Sequence, residues 1–435
     1  MSQPNIETDP NQSQESKDWY VGDLTLSNGL LVILAQALDK TSPGESFRIM
    51  ARDLNCLDDL KSWCKLSGHE LTIPDAEQGQ LASSELTTVV ITRGPGKRFL
   101  VDELPDWGLK ATLGDSGELD TASCFIGRAE TVPARAERSS GFAPRGAVRE
   151  LHNPEFPFSI NEKDQVWASE IAELYDQAVA NQWDGSRDIA WQDLSPLPDA
   201  IEQAVCQLMT FLIENEFSAL YVPGKFVSRI NPQYSEVVLF LTTQMMDEAR
   251  HIEVFTKRAL ANGGGLQICT ASTEHSLKTL LEQEDFSSAT FLLSVLGEGT
   301  FVDLLRFIEE VAPDEVTRDI VRRSRIDETR HVHFGMAHIK YLLSKDGGAA
   351  AKLIAAAAKR AAVLTNVTSV NEHVVNALIV LSGGGLQPEQ LKLGSARVSQ
   401  LFKQMDENRR KRLTAIGFTQ KEAVHISQLH TPNFM

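Results

Sequence analysis

The chain has 435 residues, 42% hydrophobic and 23% charged, enough for one large or two modest cores and unlike a disordered tail. Lys and Arg number 42 against 59 Asp and Glu, a net charge of −17, which argues against a general binder of nucleic acid or anionic membrane. Five scattered cysteines without a CxxC pair argue against a disulfide framework or zinc ribbon. No apolar run reaches the ~20 residues of a membrane span, and the polar start is unlike a signal peptide, so a cytoplasmic protein is expected.

Residues 1–18, rich in Gln, Ser, Asn and Asp, read as a disordered tail. Residues 19–93 read as a small βαβαβ domain, with strands at 23–27, 46–51 and 86–92 and helices at 30–38 and 57–66. Gly and Pro then recur without a sustained period across 94–157, the composition of an irregular linker. Beyond Pro157 the pattern is helical. Helices are expected at 164–180, 197–229, 234–261, 274–283, 286–311, 314–345, 349–382 and 388–412, with Pro223 kinking the second rather than ending it. Residues 158–345 form a predicted bundle and 346–435 a helical extension packed on it. The fold class is therefore mainly α, preceded by a small α/β domain.

Two of the predicted helices carry one pattern: Asp247-Glu248-Ala249-Arg250-His251 and Asp327-Glu328-Thr329-Arg330-His331. A Glu and a His three residues apart share a helix face, so carboxylate and imidazole can grip one metal ion from the same side. Among ten histidines a single acidic-x-x-His is expected about once or twice by chance, but two copies of the whole motif are not.

Each motif helix follows another long helix bearing a carboxylate among apolar residues. Glu298 shares its face with Phe291, Ser294, Val295, Val302 and Leu305. Glu216 aligns with Val205, Met209, Leu212, Ala219 and Leu220, and is preferred over Glu214, whose stripe is more polar. An inward carboxylate is costly unless paired or metal-bound. The predicted ligand set is thus Glu216, Glu248, His251, Glu298, Glu328 and His331. Carboxylates and imidazoles without a thiolate suit two iron ions, with manganese an open option. Tyr221 reads as a core tyrosine rather than a redox group, and His333 as a surface residue.

With Asp-Glu-x-Arg-His twice and a lone Glu on each preceding helix, the chain resembles the ribonucleotide-reductase small-subunit-like branch of the ferritin-like superfamily. The segments 178–184 and 188–191, with Trp183 and Trp191, resemble that branch's lead-in. The resemblance implies a ferritin-like four-helix bundle with additional helices and a di-iron centre that activates O₂ to oxidise a small organic substrate. It also implies a separate reductase or ferredoxin, since the sequence has no flavin or nucleotide fingerprint and no iron–sulfur cysteine set. By the same resemblance, Asp247 and Asp327 accept from the histidine on the opposite motif helix, with Arg250 and Arg330 anchoring them. Ser324 stands one turn before Glu328, where arylamine N-oxygenases carry an extra His. Rival readings are a ferroxidase or iron-handling protein without an organic substrate, a radical-generating subunit, and a manganese catalase-like enzyme; a homodimer is an open option.

The segments Ser42-Pro43-Gly44-Glu45 and 63–71 resemble the small TusA-like sulfur-carrier fold. That family has a reactive Cys at the start of its first helix, where this chain has Asn28-Gly29-Leu30. A degenerate binding or packing module is expected instead.

Overall fold

In a computed structural model the chain is described at residues 17–52, 57–74, 86–94, 132–150, 153–365 and 371–430, with short stretches between 108 and 124. The chain divides into two compact units, residues 1–103 with 148–151, and residues 104–147 with 152–435. The expected tail through residue 16 and much of the expected linker lie outside the described residues.

The first unit is a four-stranded sheet with two helices: β1 (Asp18–Gly22), α1 (Leu30–Asp39), β2 (Ser46–Ala51), α2 (Leu57–Leu66), β3 (Glu70–Thr72) and β4 (Thr87–Thr92). The strand order is β1-β2-β4-β3; β1 and β2 are parallel, and β4 runs antiparallel to both of its neighbours. Two expectations are corrected. The first strand precedes residues 23–27, because Trp19, Tyr20 and Val21 favour extended backbone and Gly22, at φ 57°, ends it. The 23–27 stretch is a turn, held by the Asn28 side chain accepting from the Thr25 backbone N–H at 2.5 Å. The unit is also not a simple βαβαβ: β3, too short to show a period, pairs with β4 as an additional strand. Alternation in β2 places Phe47 and Ile49 against Leu30, Leu34, Leu60, Val89 and Ile91.

The second unit is helical: α3 (Ile171–Ala180), α4 (Asp199–Val227), α5 (Ser235–Ala261), α6 (Ala271–Leu281), α7 (Phe286–Thr290), a π-helical segment (Phe291–Glu298), α8 (Gly299–Val311), α9 (Glu315–Lys345), α10 (Ala349–Thr365), α11 (Glu372–Gly383), α12 (Pro388–Ala415) and α13 (Gln420–Leu429). Alpha-helix 4 runs through Pro223. The expected helix from 164 starts later, because the Trp167 carbonyl accepts from His338 Nδ1 at 2.9 Å instead of entering a helical ladder. The expected 349–382 helix is not continuous: residues 366–370 lie outside the described residues, and a new helix starts after Asn371, whose backbone is extended and whose side chain accepts from the Val374 N–H. α13 was not expected, although Thr419 and Glu422 form a reciprocal capping box that marks its start.

Four long elements make a helical quartet: α4 packs on α5, and the helical run from α7 through α8 packs on α9. Gly335 lets α9 approach the π segment, since a Cβ there would sit 2.5 Å from Ser294 Cβ. Leu212, Phe240, Val254, Phe291, Val295 and Leu304 fill the interior, joined by Leu378 and Leu401 of the later helices. Each such side chain contributes ~1.5–3 kcal/mol by leaving water. Among the described residues no helix is long and apolar enough to cross a membrane.

Candidate metal centre

The quartet brings all six expected ligands to one place, each at most 1% exposed: Glu216 from α4, Glu248 and His251 from α5, Glu298 from the π segment, Glu328 and His331 from α9. Glu214 is not with them; it faces the opposite side of α4. Helical phase decided this, since two residues rotate a side chain by ~200°.

The ligand atoms fall into two overlapping groups, Glu216–Glu248–His251–Glu328 and Glu248–Glu298–Glu328–His331, the atoms within each lying inside 4.8 Å of one another. Glu248 and Glu328 belong to both. Their oxygens divide between the two histidines. His251 Nδ1 faces Glu248 Oε2 at 3.4 Å and Glu328 Oε1 at 3.3 Å, while His331 Nδ1 faces Glu248 Oε1 at 3.0 Å and Glu328 Oε2 at 3.4 Å. These approaches lack hydrogen-bond geometry. Both oxygens of Glu248 and Glu328, one each of Glu216 and Glu298, and both Nδ1 atoms are buried without a hydrogen-bond partner. Buried polar atoms are nearly always satisfied, so eight orphaned ligand atoms around one point fit a pair of cations. Four carboxylates balance two divalent ions, and the oxygen and imidazole donors suit iron and manganese.

The far side of each imidazole is fixed. His251 Nε2 meets Asp327 Oδ2 at 3.2 Å, and His331 Nε2 meets Asp247 Oδ2 at 3.3 Å, so each motif's Asp holds the other motif's His. Arg250 donates to Asp247 and, at 3.0 Å, to Asp327; Arg330 donates to Asp327 and, at 3.2 Å, to Asp247. Two residues from the loop after α3 close this network: the Trp183 indole N–H donates to Asp327 at 2.8 Å, and the Gln182 amide donates to Asp247 at 3.2 Å. Sequence reasoning gave neither a role; only their place in the lead-in segment marked them.

Sequence reasoning also missed Gln244, one turn before Glu248, whose amide donates to Glu298 Oε1 at 3.1 Å. Its mid-helix position among apolar residues was the available signal. His333 is exposed and meets Glu170 at 2.7 Å. Tyr221 corrects its expectation: it is 59% exposed, lying on the same outer face of α4 as Phe217.

Without metal, the electrostatics are those of crowded carboxylates. Burial raises Glu216, and the charges of Glu248 and Glu328 raise it further; Glu298 is raised by burial and by Glu328. Burial also opposes ionisation of Glu248, but the His331 charge and the close approach of both imidazoles outweigh it and hold that carboxyl well below the usual range. For His251 and His331 burial opposes protonation, yet the surrounding carboxylates raise both. Asp247 and Asp327 stay low because their histidine partners overcome burial.

No family model matches the chain, and no curated protein does. Among solved structures it is similar to a variant of an R2-like ligand-binding oxidase with an aerobically reconstituted Mn/Fe cofactor (20% identity, TM-score 0.42, covering 59% of this chain and 94% of that one). It is also similar to an R2-like ligand-binding oxidase with an aerobically reconstituted metal cofactor after photoconversion (19% identity, TM-score 0.42, covering 61% and 95%).

Proposed function

We propose that the helical unit is an oxidoreductase holding two iron ions, or manganese with iron, and that it oxidises a small organic substrate with O₂. The observation that carries this reading is the convergence of orphaned carboxylate and imidazole atoms into two groups sharing Glu248 and Glu328. In this reading Glu216, Glu248, His251, Glu298, Glu328 and His331 would hold the two ions, with Glu248 and Glu328 the carboxylates common to both groups. This is the ligand inventory of ferritin-like di-metal carboxylate proteins. When bound, such a pair supplies the electrons and Lewis acidity for O₂ activation.

The chain's own residues do the rest. Asp247 and Asp327 keep each histidine's Nε2 protonated and its Nδ1 turned to the centre. Arg250 and Arg330 neutralise the aspartates, so the four inner carboxylates remain matched to the ions. Phe226, Phe286 and Phe334 wall a small apolar void that reaches Gln244 and Ser294 and exclude water from that side. An external reductase or ferredoxin delivers two electrons per turnover. The N-terminal unit serves as a binding or packing module rather than a sulfur carrier, because Asn28-Gly29-Leu30 stands where the carrier's cysteine would be and the cysteine among its described residues, Cys64, is 1% exposed, with burial pushing its thiol up to about 11.

One observation favours a second reading, oxidation of Fe(II) without an organic substrate. The void beside Gln244 has a volume of about 10 Å³, room for about one water-sized molecule. An organic substrate therefore requires the wall to open. The test is O₂ uptake by anaerobically iron-loaded protein supplied with reductant, with and without a panel of small aromatic and aliphatic substrates. Substrate-dependent uptake with an oxygenated product supports the oxygenase. Uptake fixed by added Fe(II) and indifferent to substrate supports the second reading.

A further inference from the structure

The outer face of α4 carries a feature the metal centre does not use. Glu214 is 8% exposed and neither of its carboxylate oxygens makes a well-formed hydrogen bond; the Cys269 thiol and the Glu274 carboxyl lie close by, and burial with the Glu274 charge pushes its carboxyl up to about 7. It lines an open groove of about 640 Å³ between α4 and α6, within the roughly 300–1,000 Å³ of ligand pockets. The walls are apolar and aromatic. Phe217 and Tyr221, with ring centroids 6.5 Å apart, form one side, and Leu277 and Leu281 line the other.

The ionisable lining is Glu214, Glu274, His275 and Lys278. Lys278 is taken up at the rim by Glu282, at 3.2 Å. Two carboxylates therefore face the groove with no cation committed to Glu214. Neither belongs to a set of three or more potential metal ligands among the described residues, which disfavours a metal ion as occupant. A buried carboxylate gains most from a charged donor, and aromatic faces attract organic cations.

We propose that this groove binds a small organic ammonium, a primary amine with an apolar or aromatic body. Its head sits at Glu214 beside Glu274, and its body lies against Phe217, Tyr221 and the leucines. The site is separate from the metal centre and does not depend on the proposed oxidation.

The test is calorimetric titration of metal-loaded full-length protein with 2-phenylethylamine and with its neutral counterpart 2-phenylethanol. The amine is expected to bind at least about tenfold more tightly than the alcohol, the factor a charge-assisted hydrogen bond supplies. Glu214→Gln should weaken amine binding at least about tenfold and Tyr221→Ala about threefold, with metal content unchanged as the check on folding. If Glu214→Gln loses metal, Glu274→Gln takes its place and should weaken amine binding while leaving alcohol binding alone. Equal affinity for amine and alcohol, no amine binding at millimolar concentration, or full affinity in the carboxamide variants overturns the proposal.

Discussion

On one side of the candidate centre, Glu216 reaches inward from an uninterrupted α-helix; on the other, Glu298 ends a π-helical segment. The motif helices repeat Asp-Glu-x-Arg-His, but one turn before the motif they differ. Gln244 on α5 donates to Glu298, whereas its counterpart on α9, Ser324, is buried with a hydroxyl that has no hydrogen-bond partner. Glu298 is thus tethered by an amide as well as by its place in the cluster, whereas Glu216 Oε1 is buried without a donor among the described residues. On the proposed assignment, identical ligand types in unequal surroundings should give two metal positions of unequal affinity. A π-helical turn at one of them is the kind of local irregularity that often accompanies a functional site.

The largest effects should come from removing what the halves share. Glu248→Ala or Glu328→Ala should abolish binding of both ions, whereas Glu216→Ala or Glu298→Ala should leave about one of two, since each belongs to only one group. Metal analysis after anaerobic iron loading reads this directly. A bridging variant that keeps two ions, or a Glu216→Ala variant that keeps both, breaks the assignment.

The crossed aspartates come next. Asp327→Asn should lower metal affinity about 10–100-fold by releasing His251, and Asp247→Asn should do the same through His331. Competition with a chelator of known affinity measures both. The asymmetry itself is tested by a smaller pair. Gln244→Leu should weaken the Glu298 position by up to about tenfold, while Ser324→Ala should change neither position. Equal effects of the two would remove the distinction between the halves.

The smallest expected effect is on the pH dependence of the metal-free protein. Glu216 and Glu298 are raised in the fold, so their ionisation destabilises it as pH climbs above the ordinary carboxyl value of 4.5. His251 and His331 are also raised; their stabilisation is complete below the ordinary imidazole value of 6.5 and is lost as pH rises through the folded values. Both pairs act in one direction. The lowered Asp247 and Asp327 act only at more acid pH, below 3.8. Buried His338 and His430 are lowered and stabilise with rising pH only below 6.5, so the apparent melting temperature of chelator-treated protein should fall between about pH 6.5 and pH 8, and metal loading should abolish most of that slope. A flat or rising profile for the metal-free protein contradicts this account of the cluster.

Much of the centre was legible because α-helices convert spacing into direction. Glu248 with His251, Glu328 with His331, and the preference for Glu216 over Glu214 all follow from 100° per residue on apolar-striped helices. Less was legible where contacts join distant segments. Gln182 and Trp183 reach the aspartates from a loop, and no periodicity in the sequence points there. The exposure of Tyr221 depended on which flank of α4 the neighbouring helices leave uncovered. In the N-terminal unit, the three-residue β3 was too short to carry a period and is defined only by its pairing with β4.

The sequence by itself determined the helix-borne ligands, since each lies within one turn of its motif partner and local backbone geometry orients it. It also determined which stripe of each helix faces inward, through the hydrophobic effect acting on a regular period. Only the tertiary structure decided that Glu248 and Glu328 are shared between two groups, that each aspartate serves the opposite histidine, and that Gln244 has no equivalent partner across the centre. Those are relations between helices, fixed by how their ridges and small residues such as Gly335 let them approach, and no single segment encodes them.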